Sequence, residues 1–432
     1  MKIYFSVILA IFLLQPTYAT DAELIDYIRS LAVQIETERE LDPLIEAAGD
    51  RQFVLLGEAS HGTTEYYVWR ARISKRLIEE KAFRFIAVEG DWTAAYEVNK
   101  FIKDLPGAGT DAREVLASFD RWPPWMWNNE EVKDLITWLR EYNMDQPEHE
   151  RVGFFGIDVY AMWDSVREVI DYFESRHPGE AASVRDAYNC VLAFDQDPQG
   201  YAVAVARGQA DCRNEVQEVV TLLRENAEIF ADDDARRFFN AKQNALVVKN
   251  AERHYRAMVD RGPSSWNYRV RNFKTTVERV SEYFGDAKGI VWAHNTHVGD
   301  ARATPMADQG MENIGYLLRQ RHGEENVFIV GFGTHRGSVL AGSEWGAPVE
   351  NMNVPEAIEG SFGDLFYRAG ISNGLLIFPE EVPGVFMETR GHRAKGVVYN
   401  PRQERGNYVP TILPQRYNAF IFIEETGPLS PL

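Results

Sequence analysis

The sequence of 432 residues predicts an α/β fold: a mostly parallel central sheet flanked by helices, with a helical bundle lobe inserted into it. Three observations predict it. Short apolar runs rich in Val, Ile and Leu end, one after another, in a titratable residue. A helical periodicity follows the first of them. Between the early runs and the late ones lies a long stretch, 163–285, that is charged, Ala-rich and helical in pattern, with no strand signal.

The first apolar run, Val54-Leu55-Leu56, stops at Gly57 and delivers Glu58 and His61 ahead of Gly62-Thr63-Thr64. Glycine breaks the run, the threonines open a helix, and a helical pattern covers 65–80. Strand, polar turn and helix is the arrangement by which open α/β sheets hold ligands beyond the carboxyl ends of their strands. Phe85-Ile86-Ala87-Val88 runs into Glu89, 152–157 runs into Asp158, and 289–293 runs into His294-Asn295-Thr296-His297. Titratable groups are too costly to bury without partners or a use, so these strand ends read as one site.

An amphipathic helix over 20–47 enters the fold, with Leu24, Ile25, Ile28, Leu31 and Ile35 on one face. Later strands are expected at 326–331, 336–340, 374–378, 395–399 and 419–423, with 384–396 as a loop. The chain then divides into 20–162 as the first half of the core, 163–285 as the helical insertion and 286–432 as the second half. Residues 1–19 have the form of a signal peptide: Lys2, an apolar run over 4–14, and Thr17-x-Ala19 as a cleavage pattern. The apolar run is too short to span a bilayer, so the expectation is an exported protein, periplasmic or secreted.

A hydrophobic content of 45% excludes a disordered chain. A net charge of −19 argues against nucleic acid or an anionic membrane as partner. Cys190 and Cys212 could staple two helices in an oxidising compartment or remain two isolated thiols. There is no Cys-x-x-Cys for a zinc ribbon or redox pair.

His61, on its Gly-flanked turn, can take a proton from water; the lesser alternative is a histidine that caps a helix or pairs locally. Glu58 and Glu89 could orient it as the third member of a triad orients its base, or simply pair with arginines. Arg70, on the helix after His61, could hold a developing oxyanion or serve as a structural fork to a carboxylate. Together with His294 and His297, the three histidines and two carboxylates could also bind Zn or Mn, although no diagnostic metal spacing is present. The loop Arg121-Trp122-Pro123-Pro124-Trp125-Met126-Trp127 is either a structural plug or the wall of an apolar ligand pocket. No Gly-x-Ser-x-Gly, Walker loop or Gly-x-Gly-x-x-Gly occurs. Without a nucleophilic Ser or Cys motif, the natural reaction is hydrolysis by water activated by histidine or a metal.

In order and spacing, Gly57-Glu58-Ala59-Ser60-His61-Gly62-Thr63, Ala87-Val88-Glu89, Trp125-x-Trp127 with Glu130, Gly156-Ile157-Asp158, Trp292-Ala293-His294-Asn295-Thr296-His297 and Gly331-Phe332-Gly333-Thr334 resemble the erythromycin esterase family. The resemblance runs from about residue 40 to the C-terminus. It implies opening of macrolide lactone rings by water, without a covalent serine intermediate and without a required metal or other cofactor. It also implies His61 as general base, Glu58 and Glu89 holding it, His294 and His297 near the ester, and Arg70 as an active-site arginine. Arg269, Asp158, Trp125 and Trp127 are then expected to meet the substrate, a small-molecule ester or lactone. Arg269-Val270-Arg271 and Phe273 depart from the Arg-Asp and Met that the family tends to carry there. The alternatives that the residues leave open are a metal-dependent hydrolase or peptidase using the same Glu/His cluster, and a periplasmic ligand-binding protein.

Overall fold

The computed structural model describes residues 21–231 and 234–432. The expected signal peptide, 1–19, lies outside the described residues, as do Asp232 and Asp233; Asp234 caps the helix Ala235–Arg256 by accepting the N–H groups of Arg236 and Arg237.

Eleven strands are described: β1 (Val33–Gln34), β2 (Phe53–Leu56), β3 (Phe85–Val88), β4 (Gly153–Gly156), β5 (Gly289–Trp292), β6 (Val327–Gly342), β7 (Val349–Val354), β8 (Asn373–Ile377), β9 (Arg390–Arg393), β10 (Tyr408–Thr411) and β11 (Ala419–Thr426). Nine form one sheet in the order β1-β8-β11-β6-β2-β5-β3-β4, with β7 on β6; β9 and β10 make a separate ribbon. The six strands from β11 to β4 all pair in parallel. The antiparallel pairs, β1 with β8, β8 with β11 and β6 with β7, lie at one side. The expected fold class, a mostly parallel sheet flanked by helices, is the one observed.

The short central strands read as continuous apolar runs because both faces are covered. In β2 the side chains alternate: Val54 and Leu56 join one buried cluster and Phe53 and Leu55 the other. Among the described residues, helices follow one another from Met162 to Tyr283 with a cluster of their own that includes Trp163, Tyr188, Tyr201 and Tyr255. Cys190 and Cys212, left open by the sequence, are joined by a disulfide that ties the helix Pro178–Leu192 to the start of Arg213–Glu225. The last helix of this run, Ser264–Tyr283, turns Phe273, Val277 and Val280 into the sheet cluster, and so carries its own first turns to the strand ends.

Several local expectations are corrected. The stretch 20–47 is not one helix: Asp21–Leu31 ends before β1, and Thr37 caps a new turn at Glu38–Leu41 ahead of Asp42–Ala48. Runs 326–331 and 336–340 are one strand, β6, continuous through Gly333-Thr334-His335 because β11 and then β7 supply its hydrogen bonds. Residues 395–399 make only isolated bridges, while β7, β9 and β10, polar in sequence, form at the periphery. Pro198–Ala206 is a further helix.

Candidate active site

The carboxyl ends of β2, β3, β4 and β5 are adjacent in the sheet, so Glu58, His61, Glu89, Asp158, His294 and His297 arrive at one place. The turn that carries His61 is held from several directions. Lys395 N–H donates to the Ala59 carbonyl, and Leu340 and Leu429 N–H both donate to that of Gly62. Only glycine fits at position 62, where a Cβ would lie 1.8 Å from the Leu340 carbonyl oxygen. Asn295, wholly buried, ties the β5 turn to the β2 turn through its N–H to the Glu58 carbonyl and to β6 through its side-chain amide to the Phe332 carbonyl.

His61 donates Nδ1–H to Glu58 Oε1 at 2.8 Å, and Arg70 Nη2 donates to the other oxygen, Oε2, at 2.8 Å. Nδ1 is therefore committed and Nε2 is left for the cavity that His61 lines. Burial works against a charged His61, but the hydrogen bond and charge of Glu58, helped by Glu89, more than offset it, so the imidazole titrates above its ordinary value. Arg70 is wholly buried under Tyr67 and Trp292 and does not line the cavity. Of its two expected roles, the geometry fits the carboxylate fork and not the oxyanion donor.

Glu89 accepts the His294 N–H at Oε2 and Arg269 Nη2 at Oε1, both at 2.8 Å, with His297 Nε2 at 3.2 Å from Oε1. Burial alone would raise its pKa, but His297, Arg269 and His61 together hold it well below the usual carboxylate range. Arg269 also forks onto Asp158, Nε to Oδ1 at 2.9 Å and Nη2 to Oδ2 at 2.6 Å. One guanidinium thus bridges two buried carboxylates. The expected contact of Glu89 with His61 is one of charge only; its hydrogen bonds go to the β5 turn and to Arg269.

His294 caps its own short helix. Nδ1 accepts from the Thr296 N–H, which assigns the proton to Nε2, and that atom is buried without a partner. Burial and the neighbouring His61 push its pKa well down, so the ring is neutral. His297 is stacked flat beneath Trp266, ring centroids 4.5 Å apart, and burial lowers its pKa too.

His61, Glu89, Asp158, Arg269, His294 and His297 line a cavity of about 360 Å3. A larger one, about 1150 Å3, opens at the opposite, amino end of the parallel strands, where Asp300, Arg302, Arg319 and Glu324 are paired with one another; it holds none of the strand-end histidines. The apolar wall of the smaller cavity includes Phe119, Met126, Trp127 and Trp345. Trp127 donates Nε1–H to the Glu89 carbonyl. Trp125, expected beside it, is instead packed in the core, so the Trp/Pro loop is part plug and part wall. Sequence reasoning missed Arg121, which forks onto Asp91, and Tyr160, whose ring lies under both Arg121 and Arg269. The sequence signal for Asp91 and Tyr160 was their place two residues after the strand-end carboxylates Glu89 and Asp158; Arg121, Trp266 and Trp345 come from segments that carry no strand-end pattern.

The five residues offered as metal ligands are split between two ion-paired groups, Glu58 with Arg70 and Glu89 with Arg269. Among the described residues no group of three or more His, Cys, Asp or Glu is arranged to hold a metal ion. Guanidinium groups against both carboxylates disfavour a dication there. What the arrangement offers chemically is an oriented base, His61, beside a neutral donor, His294, in the wall of a partly apolar cavity.

Comparison with known proteins places these features in context. The family model described as erythromycin esterase matches residues 78–426. An Escherichia coli protein named erythromycin esterase type II is 23% identical over 373 residues, covering 80% of this chain and 86% of its own. Among solved structures, a succinoglycan biosynthesis protein superposes with a TM-score of 0.79 at 22% identity, covering 95% of this chain and 99% of its own. A Bacillus cereus protein gives 0.81 at 18% identity, with 96% and 100% covered. An erythromycin esterase mutant in its open conformation gives 0.66 at 15% identity, with 91% and 95% covered.

Proposed function

The chain belongs to the erythromycin esterase family, and from that premise we propose that it hydrolyses a carboxylic ester or lactone with water activated by His61. Membership supports an ester-hydrolysing enzyme with a small-molecule substrate. The single observation that carries it is the pairing of His61, held through Nδ1 by Glu58, with the unpartnered Nε2–H of His294 on the same cavity.

In this reading His61 Nε2 takes a proton from water as the water oxygen attacks the ester carbonyl. The carbonyl π electrons move to oxygen, and His294 Nε2–H donates to that oxyanion. Glu58, clamped by Arg70, stabilises the imidazolium that forms. Collapse of the tetrahedral species breaks the C–O bond, and His61 returns its proton to the leaving alkoxide. Glu89 and Arg269 hold the His294 turn and do not touch the reacting atoms. The apolar wall suits a bulky substrate, and a macrolactone is the first to try. Export belongs to the same proposal: the 1–19 segment has the pattern of a secretory signal, and the Cys190–Cys212 disulfide suits an oxidising compartment.

The test is mass spectrometry of erythromycin and a panel of simpler esters and lactones, incubated with the mature protein, with His61→Ala, and with the protein plus chelator. A gain of one water by at least one substrate, lost in the variant and kept with chelator, is the expected result. Loss with chelator would replace it by the metal-dependent reading, and hydrolysis surviving in His61→Ala would remove His61 as the base.

A further inference from the structure

The turn between β6 and β7 carries Trp345 to the rim of the His61 cavity, which its side chain helps to line. This residue is 64% exposed, against 41% for Tyr367, the next most exposed aromatic among the described residues. A lone exposed apolar side chain is ordinary. Trp345 is not lone, and it is held in place. Its ring packs on that of Trp122 with centroids 4.5 Å apart and planes at 56°, and Trp122 in turn donates Nε1–H to the Ala347 carbonyl at 3.0 Å, pinning the same turn. Gly342, at the foot of the turn, leaves the space that Trp122 occupies: a Cβ there would meet Trp122 Cζ2 at 3.0 Å. One part of the indole is thus fixed against Trp122 and much of the rest is free, beside the one cavity that holds His61 and His294.

A rigid aromatic that is already ordered loses little conformational entropy on binding and offers a large flat apolar area. The cavity, about 360 Å3, has room for the ester and its immediate neighbours; whatever a larger substrate carries beyond that passes the rim. We propose that Trp345 is a specificity determinant, a stacking platform at the cavity mouth that selects esters bearing a broad apolar ring system, a macrocycle or a fused or sugar-like ring, beside the scissile bond. The proposal rests on the ester-hydrolase reading for the reaction, though not for the binding.

The experiment compares wild type, Trp345→Ala and Trp345→Phe on a small ester, p-nitrophenyl acetate, and on a ring-bearing lactone, erythromycin. Thermal unfolding is recorded alongside, where little change is expected for so exposed a side chain. The expected result is a rise of about tenfold in KM for the lactone in Trp345→Ala, equivalent to roughly 1.4 kcal/mol. Its kcat should be little changed, kcat/KM for the small ester should stay within about twofold, and Trp345→Phe should recover most of the loss. Equal losses on both esters, or none on the lactone, would overturn the proposal. If neither ester is hydrolysed by wild type, the ester-hydrolase reading fails by itself. The platform is then judged by quenching of tryptophan fluorescence on titration with the lactone. Quenching that saturates at lower lactone concentration in wild type than in Trp345→Ala supports it, and the same or no saturation in both overturns it.

Discussion

The imidazoles of His61 and His294 lie with ring centroids 4.9 Å apart, and their surroundings drive them in opposite directions. Glu58 raises His61 above the ordinary value of 6.5, while burial and the proximity of His61 push His294 well below it. Two like groups whose environments separate their titrations are the usual mark of divided acid–base roles. In the proposed reaction one ring exchanges a proton and the other stays a neutral donor.

The pH dependence follows with a definite sign. The base must be unprotonated, so kcat/KM should rise with pH through a limb set by His61, placed above the ordinary imidazole value. The same raised pKa means that the His61–Glu58 pair stabilises the fold fully below the unfolded value, and that this stabilisation is lost as pH rises through the folded one. Glu58→Gln should lower the limb, because the carboxylate that raises it is gone, and should reduce the plateau rate on the order of 100-fold or more. A pH–rate profile of wild type and Glu58→Gln on one ester checks both; an unmoved limb would assign it to another group.

His294→Ala should lower kcat by about 100- to 1000-fold with KM little affected, the cost of removing one donor to a developing oxyanion. The mutation should not move the acidic limb upward, since a neutral His294 does not titrate in that range. Steady-state kinetics over pH checks the separation. A large rise in KM with normal kcat would instead make His294 a ground-state contact.

The Cys190–Cys212 disulfide closes a loop with a sequence separation of 22. A cross-link of that span is worth roughly 3 kcal/mol through the unfolded chain. The Cys190→Ser/Cys212→Ser double variant should therefore unfold at lower denaturant concentration, with ester hydrolysis by the folded protein little changed. Arg269 and Trp266, the bundle's contributions to the site, are on Ser264–Tyr283, which is anchored to the sheet rather than to the cross-linked helices. Urea titration with and without reductant measures the difference.

The strand ends were legible because a buried parallel strand leaves two plain traces, an apolar run and a polar stop, and Glu58, Glu89, Asp158 and His294 all sit at such stops. What was not legible is the set of long-range partners. Nothing in local sequence says that Arg269, 111 residues after Asp158, forks onto it, or that Arg70 lies behind Glu58 instead of in the cavity. Trp345 was unreadable for a related reason: its role depends on the β6–β7 pairing, and β7 alternates too few apolar residues to announce a strand. Trp125 and Trp127 look equivalent in sequence, yet the turn at Pro124–Met126 sends one into the core and the other to the cavity wall.

Arg70 gives the sharpest test of that difference between sequence and structure. As an oxyanion donor, its removal would reduce kcat and leave stability nearly intact. As the fork that the geometry shows, it neutralises a Glu58 carboxylate that is 1% exposed. Breaking a buried pair by removing one partner costs on the order of 3–5 kcal/mol, because the remaining charge is left uncompensated. Arg70→Met should accordingly unfold well below wild type in urea. Adding Glu58→Gln should restore part of the stability by removing that charge, without restoring activity, because His61 then lacks its carboxylate. Arg70→Lys keeps the charge and should retain more stability than Arg70→Met. A stable Arg70→Met that is merely slow would reverse the assignment and return Arg70 to the reacting atoms.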